Sequence, residues 1–246
     1  MPTLDPRLLL QGYAAGIFPM ADSRDAKELF WVEPRRRAII TVDDFHLSRS
    51  LARTLRSGKF AVSLDSDFPA VIAACADRSE TWINADIEKA MLALHQLGHA
   101  HSVEVRDRSG ELVGGIYGLK LGRAFFGESM FSRATDASKV ALAWLVARLK
   151  AGGYTFLDCQ FMTDHLKSLG AVVIPRERYV ELLGAAVAAG GSGVGAGASG
   201  AWPAGAAGER RDPEFLALDR LLEGAVPDAG SVPAGKVIAQ LLGQTS

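Results

Sequence analysis

The run from His101 to Phe131 constrains this chain more than any other segment. Ser102-Val103-Glu104-Val105-Arg106 alternates apolar and polar residues with period two, the spacing that gives a strand one apolar face. Asp107 to Gly110 is turn chemistry, and Glu111 to Leu119 then Ala124 to Phe131 read as two further strands joined by Lys120-Leu121-Gly122-Arg123. Three such strands in succession form an antiparallel meander. Its apolar face must be covered by other elements.

The flanking sequence supplies the cover. Asp5-Pro6 starts a helix through Leu8, Leu9 and Tyr13 that Gly16 ends, after which Ile17-Phe18-Pro19 leads outward. Phe30-Trp31-Val32 reads as a short strand and Ala38 to Val42 as a β-branched one. Helices are expected over Ser48 to Leu55, Pro69 to Ala76 and Ala85 to Leu97, with a strand over Phe60 to Leu64. After the meander come a helix over Ala137 to Lys150, a buried strand over Tyr154 to Cys159, a short helix over Asp164 to Leu169 and a strand over Ala171 to Ile174.

That order predicts an α+β fold, one sheet with helices on its faces. It suits an acetyltransferase-like (GNAT) sheet preceded by a small N-terminal domain. The expected division is 1–35 for the small domain, 36–183 for the catalytic domain, 184–211 for a Gly/Ala-rich linker and 212–246 for a tail. In the tail, Phe215, Leu216, Leu218, Leu221 and Leu222 are spaced like an amphipathic helix. No chemistry is assigned to it.

Charge and composition exclude some classes. The chain has 246 residues and a formal charge of -1, so it is not a uniformly basic nucleic-acid binder. Cys75 and Cys159 are too few for a disulfide framework and lack zinc-ligand spacing, and read as reduced thiols of a cytosolic protein. His99 and His101 flank a strand start without a third ligand nearby, so no metal is expected. There is no secretory leader pattern, and no run approaches the roughly 20 apolar residues that span a bilayer. A cytoplasmic protein is expected.

Several clusters carry chemistry. His46, Arg49, Arg53 and Arg56 fall on one stripe of a helix. Residues 31–60, including Arg35-Arg36-Arg37, hold seven Lys/Arg against three Asp/Glu, a local charge of +4. Such a stripe either grips phosphates or is a solvated helix face. Trp82, in a polar neighbourhood, either stacks on a nucleobase or anchors a loop on the core. Asp158 and Gln160 share one side of a strand end, as a turn group or as a pair that orients an attacking amine. Gln160 has no basicity at neutral pH, so it can only accept a hydrogen bond and position a nucleophile. Glu128, ringed by Phe125, Phe126, Met130 and Phe131, is either a misplaced surface group or part of an apolar pocket with a few polar groups.

One absence bears on the donor. Acyl-CoA-dependent members of this fold use a glycine-rich loop that offers backbone N–H groups to a diphosphate. Residues 131–139 contain no glycine and place Asp136 near the helix start. Coenzyme A is therefore disfavoured, and no cofactor is expected.

The strings Gly16-Ile17-Phe18-Pro19-Met20, Phe45-His46-Leu47-Ser48-Arg49-Ser50, Thr81-Trp82-Ile83 and Leu97-Gly98-His99-Ala100-His101-Ser102-Val103-Glu104-Val105 resemble the leucyl/phenylalanyl-tRNA–protein transferase family. So do Leu112 to Gly118, Phe126 to Arg133, Asp136-Ala137-Ser138-Lys139, Leu157-Asp158-Cys159-Gln160 and His165 to Ala171, in the family's order from about residue 5 to about 183. The C-terminal quarter lies outside the resemblance, and Met20 stands where the family often has Trp.

The resemblance implies transfer of Leu or Phe from Leu-tRNA or Phe-tRNA to the N-terminal Arg or Lys of acceptor proteins, marking them for N-degron proteolysis. It implies that Asp158 and Gln160 are the catalytic pair, and that Ile116, Phe125, Glu128, Met130 and Leu157 wall the aminoacyl pocket. It also implies that Trp82 carries the terminal adenosine and that the helix bearing His46, Arg49, Arg53 and Arg56 contacts the tRNA. No membrane and no coenzyme A are expected as partners, and the chain is expected to be a monomer. Two other classes remain open at this point: an acyl-CoA N-acyltransferase of the same fold, and a non-catalytic RNA-binding module.

Overall fold

The computed structural model describes residues 4–189, 213–224 and 234–243. In chain order the elements are α1 (Pro6–Ala14), β1 (Phe18–Met20), β2 (Phe30–Val32), β3 (Arg36–Thr41), α2 (Arg49–Arg56), β4 (Ala61–Leu64), α3 (Phe68–Ala76), α4 (Ala85–Gln96) and β5 (Ala100–Arg106). They continue with β6 (Leu112–Leu121), β7 (Ala124–Ser132), α5 (Ala137–Ala151), β8 (Phe156–Gln160), α6 (Asp164–Lys167), β9 (Val172–Pro175), α7 (Arg176–Ala188), α8 (Ala217–Gly224) and α9 (Ala234–Gly243).

The helix starts follow from side chains that satisfy orphan N–H groups. Asp5, Ser48, Asp67, Asn84 and Thr163 each accept a backbone N–H at the first turn of α1, α2, α3, α4 and α6. Seven strands form one sheet in the order β4-β5-β6-β7-β8-β3-β9. Neighbours are antiparallel except β7 and β8, which run parallel. The parallel pair follows from α5, which returns the chain to the starting edge between them.

Strand alternation sends successive side chains to opposite layers. Phe126 and Phe156 join Tyr13, Phe68, Tyr117 and Tyr179 in one core, under α1, α3, α4 and α7. Phe125 and Leu157 join Ile40, Val103 and Ile116 in the other, under α2, α5, α8 and α9. The architecture is thus a mixed sheet, mostly antiparallel, covered by helices on both faces. No helix among the described residues is long and apolar enough to cross a membrane.

Four features depart from the sequence reading. The segment Ile17-Phe18-Pro19, read only as leading outward, contains β1, which pairs with β2 as a separate two-stranded ribbon. The first 35 residues also share a core with the sheet, since Leu9, Tyr13 and Phe18 pack in the same cluster as Phe126.

Helix α7 was not foreseen and runs through Ala188, so residues 184–188 of the expected linker are helical. Alanine is the best helix former as well as a linker residue, and Tyr179, Leu183 and Ala186 at helical spacing bury one face. Residues 190–211 of that expected linker lie outside the described residues. In the tail, α8 covers part of the expected helix and α9 adds a second, unforeseen one. Both dock through Phe215, Leu218, Ile238 and Leu242.

Candidate active site

Strand β8 ends on a backbone irregularity that organises the site. Gln160 has φ +62, a left-handed conformation unusual for a residue with a Cβ. Its N–H donates to Asp158 Oδ1 at 2.8 Å, and Phe161 N–H closes a tight turn onto Cys159 O at 2.7 Å. The chain leaves the sheet here and enters α6.

Asp158 is fully buried and its carboxylate is saturated. Arg37 Nε donates to both oxygens at 3.0 Å, Arg37 Nη2 to Oδ2 at 2.8 Å and the Tyr179 hydroxyl to Oδ2 at 2.7 Å. Arg37 is itself 1% exposed, its guanidinium lying 4.7 Å from the Phe18 ring centre and 4.6 Å from that of Tyr179. Its Nη1 donates to Gly16 O at 3.2 Å. A buried carboxylate is tolerated only with such partners. The N-terminal ribbon, β3, β8 and α7 are therefore tied together at one ion pair.

Beside this pair lies a cavity of about 250 Å³. Ile116, Met130, Leu142, Leu157 and Leu166 supply apolar walls, and Glu128, Gln160 and His165 supply polar ones. Half-buried Trp82 and exposed Arg78 and Phe161 also line it. Arg78 is held to β7 by hydrogen bonds to Met130 O and to Ser129 Oγ.

Gln160 Nε2 donates to Glu128 Oε1 at 2.9 Å. That leaves Gln160 Oε1 as the atom of the amide without a donor among the described residues. Glu128 Oε2 is buried without a hydrogen-bond partner among the described residues. Burial pushes the Glu128 carboxyl up to about 8, the Asp158 charge adding to the rise while Arg37 and the Gln160 amide pull it partly back, so Glu128 is mostly neutral at neutral pH. Burial, with Lys139 nearby, lowers His165, whose imidazole is therefore neutral too. Burial and the Asp158 charge raise Cys159, which makes its thiol a poor nucleophile.

The structure gathers Ile116, Glu128, Met130, Leu157, Gln160 and Trp82 at this one cavity. Two expected residues fall elsewhere. Phe125 is fully buried in the core rather than on the cavity wall, because strand pairing sets it beside Leu157 and under Phe215. Asp158 faces Arg37 and Tyr179 and does not line the cavity, so it touches the site only through the backbone of Gln160.

Sequence reasoning missed Arg37, Tyr179 and Tyr13. Arg37 belongs to the basic run, and its alternation with exposed Arg36 on β3 is the signal that it faces inward.

Of the expected basic stripe, Arg49, Arg53 and Arg56 lie on α2, whereas His46 falls in the loop before the Ser48 cap. His46, Arg49, Arg53 and Arg56 are all exposed, and none has an ion-pair partner among the described residues. Arg49, Arg56 and His46 border a groove whose far side is α9, through Ala239 and Leu242. His46 N–H donates to Leu169 O at 3.0 Å, which ties this face to the turn after α6, the helix that gives His165 and Leu166 to the cavity. The basic face and the cavity are thus joined through one short element. Among the described residues no His/Cys/Asp/Glu group is arranged to hold a metal ion.

The chain matches the family described as leucyl/phenylalanyl-tRNA protein transferase over residues 39–184, and that family's N-terminal domain over residues 3–35. A leucyl/phenylalanyl-tRNA–protein transferase of Rhizorhabdus wittichii is 56% identical over 263 aligned positions, covering 100% of both chains. One from Novosphingobium aromaticivorans is 51% identical over 262 positions, covering 99% of this chain and 97% of that one. Among solved structures, FemX superposes with a TM-score of 0.48 at 12% identity, covering 71% of this chain and 70% of that one.

Proposed function

The chain belongs to the leucyl/phenylalanyl-tRNA–protein transferase family, an aminoacyltransferase class, and from that premise we propose that it moves Leu or Phe from aminoacyl-tRNA onto the N-terminal Arg or Lys of acceptor proteins. The modified proteins would enter N-degron proteolysis in the cytoplasm. The observation that carries the reading is the apolar cavity that ends on Gln160 and Glu128 and has Trp82 among its lining residues.

Ile116, Met130, Leu142 and Leu157 suit a branched aliphatic or aromatic side chain. Trp82 offers an indole on which the terminal adenosine stacks, an interaction worth roughly 1–3 kcal/mol. His46, Arg49, Arg53 and Arg56 contact phosphates of the tRNA. Their lack of ion-pair partners among the described residues supports this, because unpaired guanidinium groups are free to grip phosphate bidentately.

The reaction is direct aminolysis. The acceptor's α-amine, with an ordinary pKa of about 8, is partly neutral at physiological pH. Its lone pair forms the new C–N bond as the ester C–O bond breaks. The amine's proton ends on the departing ribose oxygen, with the neighbouring ribose hydroxyl as relay. Gln160 Oε1 accepts an amine N–H and orients the lone pair toward the carbonyl. Asp158, held by Arg37 and Tyr179, acts by fixing the Gln160 backbone and is a positioning residue. No covalent intermediate on the protein is involved, consistent with the raised Cys159 thiol.

The parallel pair β7–β8, bridged by α5 and flanked by the meander, supports the acetyltransferase-like reading of the fold. Coenzyme A is nevertheless a poor donor. At the start of α5 the N–H of Ala137 already bonds Ala134 O, that of Ser138 bonds Ser132 Oγ at 3.2 Å, and that of Val140 bonds Asp136 O. Few donors remain for a diphosphate, and the Asp136 carboxylate lies beside it.

The test is transfer of radiolabelled leucine from Leu-tRNA to a model protein with N-terminal Arg, beside a Met-starting control. Label on the Arg protein alone is expected. No transfer while tRNA still binds would point instead to a binding module.

A further inference from the structure

Phe215 lies beyond the family match, just before α8, and is 4% exposed. It is held on several sides. Arg148, in α5 and 3% exposed, donates through Nη1 to Phe215 O at 2.9 Å, and through Nη1 and Nη2 to the two Asp219 oxygens at 2.6 Å. Glu214 N–H donates to Gly152 O at 2.9 Å. A Cβ on Gly152 would stand 2.5 Å from Glu214 O, so the turn after α5 has room for this segment only because it is glycine.

The Phe215 ring is stacked on Phe125, with centroids 5.6 Å apart and planes 6° from parallel. Tyr154 meets Phe215 edge-on at 6.0 Å, and the His101 ring lies 4.2 Å away. Phe125 is paired in register with Leu157 across β7 and β8 and packs in one core with Ile116. Ile116 and Leu157 are walls of the cavity. A chain of packed side chains therefore runs from the C-terminal segment to the apolar pocket.

We propose that Phe215 is a positioning residue for that pocket: by backing Phe125, the docked C-terminal segment sets the shape of the Ile116 and Leu157 wall and hence the choice among donor side chains. The proposal rests on the reading of the cavity as the aminoacyl site. Interiors are close-packed, so removing a ring lets its neighbours relax into the space. A wall displaced by less than a methyl group matters here, because shape is the means by which an apolar pocket separates γ-branched Leu from β-branched Ile.

The experiment uses the full chain with Phe215→Leu, and with Asp219→Asn, which loosens the Arg148 anchor while keeping the ring. Competition between Leu-tRNA and Ile-tRNA is measured together with the 13C-methyl resonances of Ile116 and Met130. For Phe215→Leu the Leu/Ile ratio of kcat/KM is expected to fall about tenfold. The change is expected in KM, with kcat for leucine within about twofold of wild type. The Ile116 methyl should move, and Asp219→Asn should act in the same direction more weakly. It serves alone if Phe215→Leu does not fold.

Lower stability with the wild-type ratio and an unmoved Ile116 resonance would overturn the proposal and leave Phe215 a stabilising residue only. If the wild-type protein transfers no amino acid at all, the functional reading fails by itself. The Ile116 methyl then still decides whether Phe215 shapes the cavity, movement supporting the proposal and an unmoved resonance overturning it.

Discussion

Arg37 and Asp158, 121 residues apart in the chain, meet through three hydrogen bonds of 2.8 to 3.0 Å with both side chains almost wholly out of water. The pair joins β3 to β8 at the point where β8 turns into the site. Its carboxylate then holds the Gln160 N–H in a left-handed turn. The consequences reach both stability and chemistry.

Removing one partner of a buried ion pair leaves the other charge unsolvated. Arg37→Ala is expected to cost about 3–5 kcal/mol, read as a lower midpoint in urea unfolding. Arg37→Lys should rescue little of this, because an ammonium offers neither the planar fork nor the stacking between Phe18 and Tyr179. A lysine variant as stable as wild type would show that charge alone matters.

Gln160 separates stability from activity. A Cβ in the left-handed region costs about 1–2 kcal/mol, so Gln160→Gly should be at least as stable as wild type despite losing the bond to Glu128. Transfer should fall by about 10²-fold, the scale of a misplaced nucleophile. Circular dichroism melting and single-turnover transfer measure the two quantities. Retained turnover in the glycine variant would remove Gln160 from the mechanism.

Glu128 gives stability a pH dependence of definite sign. Its folded pKa of about 8 lies above the ordinary 4.5, so the folded protein binds more protons than the unfolded chain between those values. Stability is therefore fullest below 4.5 and declines as pH rises toward 8, by an amount on the order of a few kcal/mol. Glu128→Gln should flatten that decline. Denaturant midpoints at several pH values for both proteins check it, and parallel curves would mean that Glu128 does not titrate in this way.

The basic stripe should act on RNA without acting on the fold. Arg49→Gln, Arg53→Gln and Arg56→Gln each remove an exposed side chain without an ion-pair partner among the described residues, so the unfolding free energy should change by no more than about 0.5 kcal/mol. Affinity for tRNA should drop, and the slope of log affinity against log salt should shrink by about one for each phosphate no longer gripped. Unchanged salt slopes in all three variants would mark the stripe as a solvated helix face.

Local signals explain what could be read early. The meander showed in the period-two run at Ser102 to Arg106. Helix starts showed at Asp5 and Ser48, because capping depends on residues a turn apart. Helix α7 escaped because its alanines serve helix and linker alike, and only burial of Tyr179 and Leu183 against the sheet decides between them. Arg37 looked like part of a surface charge run for the same reason. Nothing near it in sequence announces Asp158.

The sequence by itself determined most of the elements, the meander, the residues of the polar strand end and the family to which they belong. All of these depend on residues close together in the chain or on motifs in fixed order. The tertiary structure decided which carboxylate faces the cavity and which is sealed behind it. It also decided that Phe125 belongs to the core, and that the C-terminal segment packs on it through Phe215. These are outcomes of strand pairing and close packing between distant residues, and the short-range spacing of a sequence does not encode them directly.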